Sequence, residues 1–165
     1  MRTITITLKR EEIMGDVVNT AHITGRRLNV AGSEEKASDI QTPEEGADRY
    51  IVARAMQEGL SIVRKECGRY LSNGRFTDDN SLEDAVGNYT LALNMPDRWN
   101  FGATTSLTSL ANAYVRDWCV YNIFEKTNPE EAANYLSKAN VSLSGIKPIL
   151  EMRTAPVRRN SSFLY

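Results

Sequence analysis

The sequence is poor in the groups on which most catalytic and metal sites depend. It contains one histidine and two cysteines in 165 residues, which excludes sites built from several imidazole or thiolate ligands. No apolar run approaches the roughly 20 residues that cross a bilayer. The N-terminal residues alternate instead of forming a signal-peptide core, so we expect no export. The formal net charge of −1 argues against a general binder of nucleic acid or acidic membranes, which carries a basic excess.

The few reactive side chains have structural interpretations. His22 is followed one turn later by Arg26 and Arg27, which disfavour a bound cation, so we interpret it as a partly exposed structural residue and not as a general base or ligand. Cys67 and Cys119 fall far apart in predicted helices. We interpret both as reduced core thiols of a cytosolic protein, and not as a disulfide or a nucleophile.

The densest acidic cluster runs from Asp78 and Asp79 to Asp84. It is a candidate for a divalent cation, but it lacks the alternating oxygen ligands, central glycine and final glutamate of a calcium loop. A solvated loop is the preferred interpretation. Because no phosphate-binding glycine loop or nucleophile elbow is present either, we expect no enzyme activity, no metal and no cofactor.

Two short segments, residues 3–8 and 88–94, alternate between apolar and polar side chains, which predicts two half-buried strands. Their apolar positions are Ile4, Ile6, Leu8, Tyr89, Leu91 and Leu93. Paired together, they form a two-stranded ribbon that is marginal alone. We therefore expect helices to cover its apolar face or another chain to extend it.

Four helices are predicted between and after these strands. The first spans about residues 10–27, and the second begins at the capping box Thr42-Pro43-Glu44-Glu45 and ends near Asn73-Gly74. The apolar side of the second helix includes Ala47, Ile51, Ala55, Leu60, Val63, Cys67, Tyr70 and Leu71. The third helix covers about residues 103–126. Its aromatic residues Tyr114, Trp118 and Tyr121 have helical spacing, which favours a core position over base stacking.

The fourth helix opens at Asn128-Pro129-Glu130-Glu131, where a capping side chain, a proline and two acids follow in order. A narrow apolar seam suited to packing on another helix follows. It consists of Ala132, Leu136, Ala139, Leu143, Ile146 and Leu150. The short connection makes the third and fourth helices antiparallel neighbours, with Trp99 and Phe101 closing the end of the bundle. Pro148 is expected to end or kink the fourth helix.

These elements predict a mainly α fold, an antiparallel bundle of about four helices with a small two-stranded β ribbon. Residues 1–152 form the single domain, and residues 153–165 form an extended tail. The tail is either a solvated end or a docking arm, because basic side chains are followed by an apolar tip. Its candidate partner-binding residues are Arg153, Arg158, Arg159, Phe163, Leu164 and Tyr165.

The order of segments resembles that of small prophage-encoded structural proteins. The resemblance rests on two strands and three later segments. The strands are Ile4–Leu8, which precedes a Glu-Glu-Ile helix, and the strand that ends Leu93-Asn94-Met95-Pro96. The later segments are Tyr114-Val115-Arg116-Asp117-Trp118, Thr127-Asn128-Pro129, and Arg153 with Pro156-Val157-Arg158-Arg159. More loosely, the chain is similar to the helical head–tail connector and head-completion proteins of tailed phages. The resemblance covers nearly the whole chain by pattern.

The resemblance implies a non-enzymatic ring or neck component with no catalytic residues. Its partners would be copies of itself and virion proteins such as portal or tail components, with at most weak non-specific contact to DNA and none to membranes. It would be located in the bacterial cytoplasm during assembly and then in the virion. The alternative from the residues alone is a bacterial helical regulatory or protein-interaction module.

Overall fold

A computed structural model describes residues 1–30, 47–72 and 88–154. The predicted helix start at Thr42, the acidic cluster from Asp78 to Asp84 and residues 155–165 lie outside these ranges. In chain order the regular elements are β1 (Arg2–Leu8), α1 (Arg10–Val30), α2 (Ala47–Glu66), β2 (Tyr89–Met95), α3 (Thr104–Thr127) and α4 (Pro129–Glu151). A short 3₁₀ turn, Gly68–Tyr70, follows α2, and another, Phe101–Ala103, precedes α3.

The two predicted strands pair as an antiparallel ribbon. Their register runs one to one from Arg2 opposite Met95 to Leu8 opposite Tyr89. Alternation puts Ile4, Ile6 and Leu8 in the core, while Thr5 and Thr7 between them stay exposed. Helix α3 packs against β1, so the expectation that helices cover the apolar face is confirmed.

Helix α3 is the centre of the bundle, because α1, α2, α4 and β1 all contact it. Phe124 near its C-terminus meets Tyr135 near the start of α4, with ring centroids 5.7 Å apart. Leu110, more than three turns earlier in α3, lies against Gly145 near the end of α4. The two helices are therefore antiparallel neighbours, as the short connection predicts.

The fold class predicted from the sequence, a mainly α bundle with a small ribbon, is confirmed. Among the described elements, the core draws on all four helices and both strands. Its largest fully buried side chains are Trp99, Tyr114, Phe124, Ile6, Leu8, Met56, Leu93, Met95, Leu107, Ile146 and Leu150. The seam of α4 contributes Ala132, Ala139, Ile146 and Leu150 to this core, whereas Leu136 and Leu143 are only half-buried.

The predicted C-terminal end of the second helix is wrong. Helix α2 ends at Glu66, and the chain turns through Gly68–Tyr70 so that Leu71 forms a bridge to Leu93. Pairing with β2 replaces the last helical turn, a tertiary contact that local propensity does not reveal. The predicted apolar face is buried at Ala55, Leu60, Val63, Cys67 and Tyr70, but Ile51 is exposed while Val52 and Met56 are fully buried.

Two details at the ends of α4 also differ from the prediction. The helix begins at Pro129, but the side chain of Asn128 makes no capping hydrogen bond; its backbone carbonyl accepts from the Ala132 amide. Pro148 lies inside the helix, which continues to Glu151. Pro148 and Ser144, whose carbonyl loses its donor, are both exposed. Water can therefore hydrate that carbonyl, which makes the proline tolerable.

Candidate functional site

The part of the tail that the structure describes is attached to the bundle. The amide of Thr154 donates to the carbonyl of Arg98 at 2.8 Å, and Arg153 forms an isolated β-bridge with Trp99. The Arg153 guanidinium donates to the carbonyl of Leu150 at 3.2 Å, so it caps the end of α4. The other five candidates, Arg158, Arg159, Phe163, Leu164 and Tyr165, lie outside the described residues.

Trp99 anchors this attachment. Its side chain is 1% exposed, and its indole Nε1 donates to the carbonyl of Ile149 at 2.9 Å. Phe101 meets it edge to face at 5.3 Å between centroids, and the guanidinium of Arg2 lies 5.3 Å from the Phe101 ring centre. These aromatic residues close one end of the bundle, as predicted, and hold the point from which residues 155–165 continue.

Within the described ranges, one edge of the ribbon is paired with other residues, and the other edge has no strand beside it. Beside β2, Leu71 bridges Leu93, and the amide of Ser72 donates to the carbonyl of Ala92 at 2.9 Å. On the outer side of β1, no strand from residues 1–30, 47–72 or 88–154 is paired. The exposed face of the ribbon is polar, and it includes a hydrogen bond from Thr3 Oγ1 to Asn94 Oδ1 at 2.9 Å.

The outward side of α4, named the α4 face here, consists of Ala133, Leu136, Ser137, Asn140, Val141 and Ser144. These residues surround a shallow depression of about 520 Å³. Val141 is 69% exposed there, although transfer of a valine side chain out of water is favourable. The small neighbouring side chains leave room for close approach of another surface.

A second outward surface, the α2 face, joins Tyr50, Ile51, Arg54 and Glu58 of α2 with Asn122, Glu125 and Lys126 of α3. It forms a depression of about 280 Å³, in which Tyr50 is 58% exposed. It shares no residue with the α4 face. The sequence prediction missed it because Ile51 was assigned to the core.

Two depressions adjoin Asp16 and Arg116, one of about 270 Å³ among α1, α3 and α4 and one of about 360 Å³ between α1 and α3. Asp117 is 3% exposed, and its Oδ1 accepts from Nε and Nη2 of Arg116 at 2.9 and 2.8 Å. Both partners of this pair therefore serve to neutralise each other, since an unpaired buried carboxylate is costly.

The two cysteines are buried free thiols, as predicted. Burial raises the pKa of the Cys67 thiol to about 11, with the nearby Glu66 carboxylate adding to the effect, and that of Cys119 to about 12, with Glu58 adding. Both thiols stay protonated at neutral pH and are poor nucleophiles. His22, predicted to be partly exposed, is exposed.

The aromatic residues of α3 pack together at helical spacing. Trp118 lies 6.2 Å from Tyr114 and 5.5 Å from Tyr121, measured between ring centroids. Tyr114 is buried, and the other two are half-buried. Trp118 also approaches α2 at Gly59, so this cluster holds α2 and α3 together.

Comparison with known proteins identifies no relative. No family model matches the chain, and neither a curated protein nor a solved structure does. Among the described residues, no helix has the length and apolar character needed to cross a membrane, and no group of three or more metal-ligating side chains occurs.

Proposed function

We propose that this chain is a non-enzymatic structural adaptor of the tailed-phage type. It acts as a head–tail connector or neck-like component through self-association and contacts with virion proteins such as portal or tail components. On this proposal it assembles in the bacterial cytoplasm and is carried into the virion. The resemblance of its segment order supports the phage assignment, and the near-neutral charge agrees with weak, non-specific DNA contact.

The observation that carries the proposal is the pair of separate outward faces with exposed apolar side chains. A closed ring needs two different surfaces on each subunit, one of which binds the other on its neighbour. The α2 face and the α4 face have this separation, because the first lies on α2 and α3, the second lies on α4, and they have no residue in common. The exposed Tyr50 and Val141 are the side chains that such an interface would bury.

Light scattering after size-exclusion chromatography tests self-association over a range of protein concentrations. We expect the mass to rise with concentration, and Val141→Lys to reduce the rise because a lysine at the α4 face opposes burial. Ile23→Lys is the matched control, since Ile23 on α1 has the same 69% exposure but lies on neither face. A constant monomer mass would count against the adaptor and favour the regulatory or protein-interaction module.

The phage assignment has a test of its own. Genes for portal, capsid or tail proteins beside the gene for this chain would support it, and the purified portal or tail protein encoded there should bind the chain. A regulatory gene neighbourhood, together with no binding to any virion protein, would contradict it.

A further inference from the structure

We propose that the outer edge of β1 pairs with β1 of a second copy of this chain, antiparallel and centred on Thr5. Two ribbons then become one continuous sheet. The inference rests on the proposed function and deepens it by naming a surface through which copies associate. It is carried by the strand edge, the composition of β1 and its exposed threonines.

The edge itself is the first observation. Within the described ranges, β2 has neighbours on both sides, β1 on one and Leu71 with Ser72 on the other. β1 has a strand neighbour only on the β2 side, so alternate amides and carbonyls of Arg2–Leu8 face its other side without a strand partner. Pairing of two copies converts two marginal two-stranded ribbons into a four-stranded sheet.

β1 also lacks the usual protection of a free edge. Natural edge strands carry lysine, proline or inward charges, or they bend away at a bulge. Residues 3–8 contain no charge and no proline. The one-to-one register with β2 runs through all of Arg2–Leu8 without a bulge, so the edge is regular over this length and uncharged over residues 3–8.

The composition of β1 favours its own copy as the occupant. Thr3-Ile4-Thr5-Ile6-Thr7 reads the same in both directions. An antiparallel partner centred on Thr5 therefore places threonine opposite threonine on the exposed face and isoleucine opposite isoleucine on the core side. A slip of one residue destroys both matches, and cross-strand threonine pairs are favourable.

The ends of the strand tolerate this register. Arg2 falls opposite Leu8 of the copy, so no two like charges oppose each other within the paired stretch. The guanidinium of Arg2 already lies over Phe101. The N-terminal ammonium, which approaches Lys9 of the copy, is paired with Asp97 at 2.7 Å. The interface is small, so we expect a weak, concentration-dependent dimer.

Cysteine crosslinking of the full chain tests the pairing. Thr5→Cys places two accessible thiols opposite each other, whereas Cys67 and Cys119 are buried and stay silent. We expect mild oxidation or a short bismaleimide to give a covalent dimer. Thr90→Cys is the matched control, because Thr90 is an exposed β2 residue on the same face of the ribbon, one strand away from the proposed contact. Equal crosslinking of both variants would overturn the proposal.

Charged substitutions at Thr5 test the register without a covalent bond. Thr5→Lys opposes two lysines at the centre and should weaken dimerisation about five-fold, whereas Thr90→Lys should leave it unchanged. A mixture of Thr5→Lys and Thr5→Glu chains should form heterodimers in native mass spectrometry in preference to either homodimer. Absence of this preference would overturn the pairing centred on Thr5.

The outcomes separate this inference from the proposed function. Self-association that persists in the Thr5→Lys variant, with no Thr5→Cys dimer, would overturn the edge pairing and leave the adaptor intact. A constant monomer mass for the unmodified chain would overturn both. A Thr5→Cys dimer that forms only after deletion of residues 155–165 would mean that this segment occupies the outer edge of β1 in the full chain. That outcome would also overturn the pairing between copies.

Discussion

The packing of α2 on α3 predicts opposite outcomes for two glycine-to-alanine changes. Gly15 lies in α1, and a Cβ added there would meet no atom within 4 Å. Gly59 lies in α2, where an added Cβ would be 3.3 Å from Cδ1 of Trp118 and 3.5 Å from Cα of Val115. The two changes are chemically identical, so the difference between them measures the contact between the helices.

Both substitutions gain helix propensity, worth about 1 kcal/mol in a helix interior. Gly15→Ala keeps this gain and should raise the melting temperature by about 2–4 °C in a chain of this size. In Gly59→Ala the indole must move by a few tenths of an ångström, and overpacking of this kind costs about 1–3 kcal/mol. We therefore expect Gly59→Ala to be neutral or destabilising by up to about 2 kcal/mol.

Urea unfolding monitored by circular dichroism measures both free energies. A double-mutant cycle adds the decisive comparison, because Gly59→Ala in a Trp118→Ala background should recover the gain of about 1 kcal/mol. Equal stabilisation by Gly15→Ala and Gly59→Ala in the unmodified background would refute the reasoning, since it would mean that α2 and α3 do not approach closely at this position.

Three further predictions concern the core and the chain ends. Ellman's reagent should find no reactive thiol in the native protein and two after unfolding. Because burial raises both thiol pKa values above the ordinary 9, the stability that the neutral thiols contribute should be complete below pH 9. This stability should be lost as pH rises toward the pKa values of Cys67 (about 11) and Cys119 (about 12). Trp99→Phe removes the donor to Ile149 and leaves a void, so urea unfolding should show a loss of about 2–3 kcal/mol; an unchanged midpoint would contradict the anchoring role. The hydrogen bond from the terminal ammonium lowers the pKa of Asp97. The contribution of this ion pair to the stability of the fold should therefore be present above pH 3.8 and lost as pH falls through that lowered pKa. Asp97→Asn should flatten this acid limb in thermal melts, and identical limbs would exclude the ion pair as its cause.

The sequence predicts the elements better than it predicts their junctions. Strict alternation identifies both strands, because Ile6 and Leu91 sit on faces set by a period of two. Proline followed by acids locates the start of α4 at Pro129. The register of the ribbon is not encoded in either strand alone, since alternation allows any even shift.

The errors arise where tertiary contacts decide. Adjacent apolar residues in α2 allow two faces, and packing on α3 buries Val52 instead of Ile51. Likewise, the bridge from Leu71 to Leu93 ends the helix early. Of the six predicted contact residues, only Arg153 is described, and its guanidinium is used by the last turn of α4.

The attachment of Thr154 to Arg98 has a mechanical consequence. Tension applied to the chain beyond Thr154 is borne first by its hydrogen bond to Arg98 and by the bridge between Arg153 and Trp99. These contacts direct the load into the segment joining β2 to α3, and the buried indole of Trp99 resists withdrawal. A tether on the chain beyond Thr154 would therefore strain the end of the bundle that Trp99 closes before it pulled the remaining helices apart.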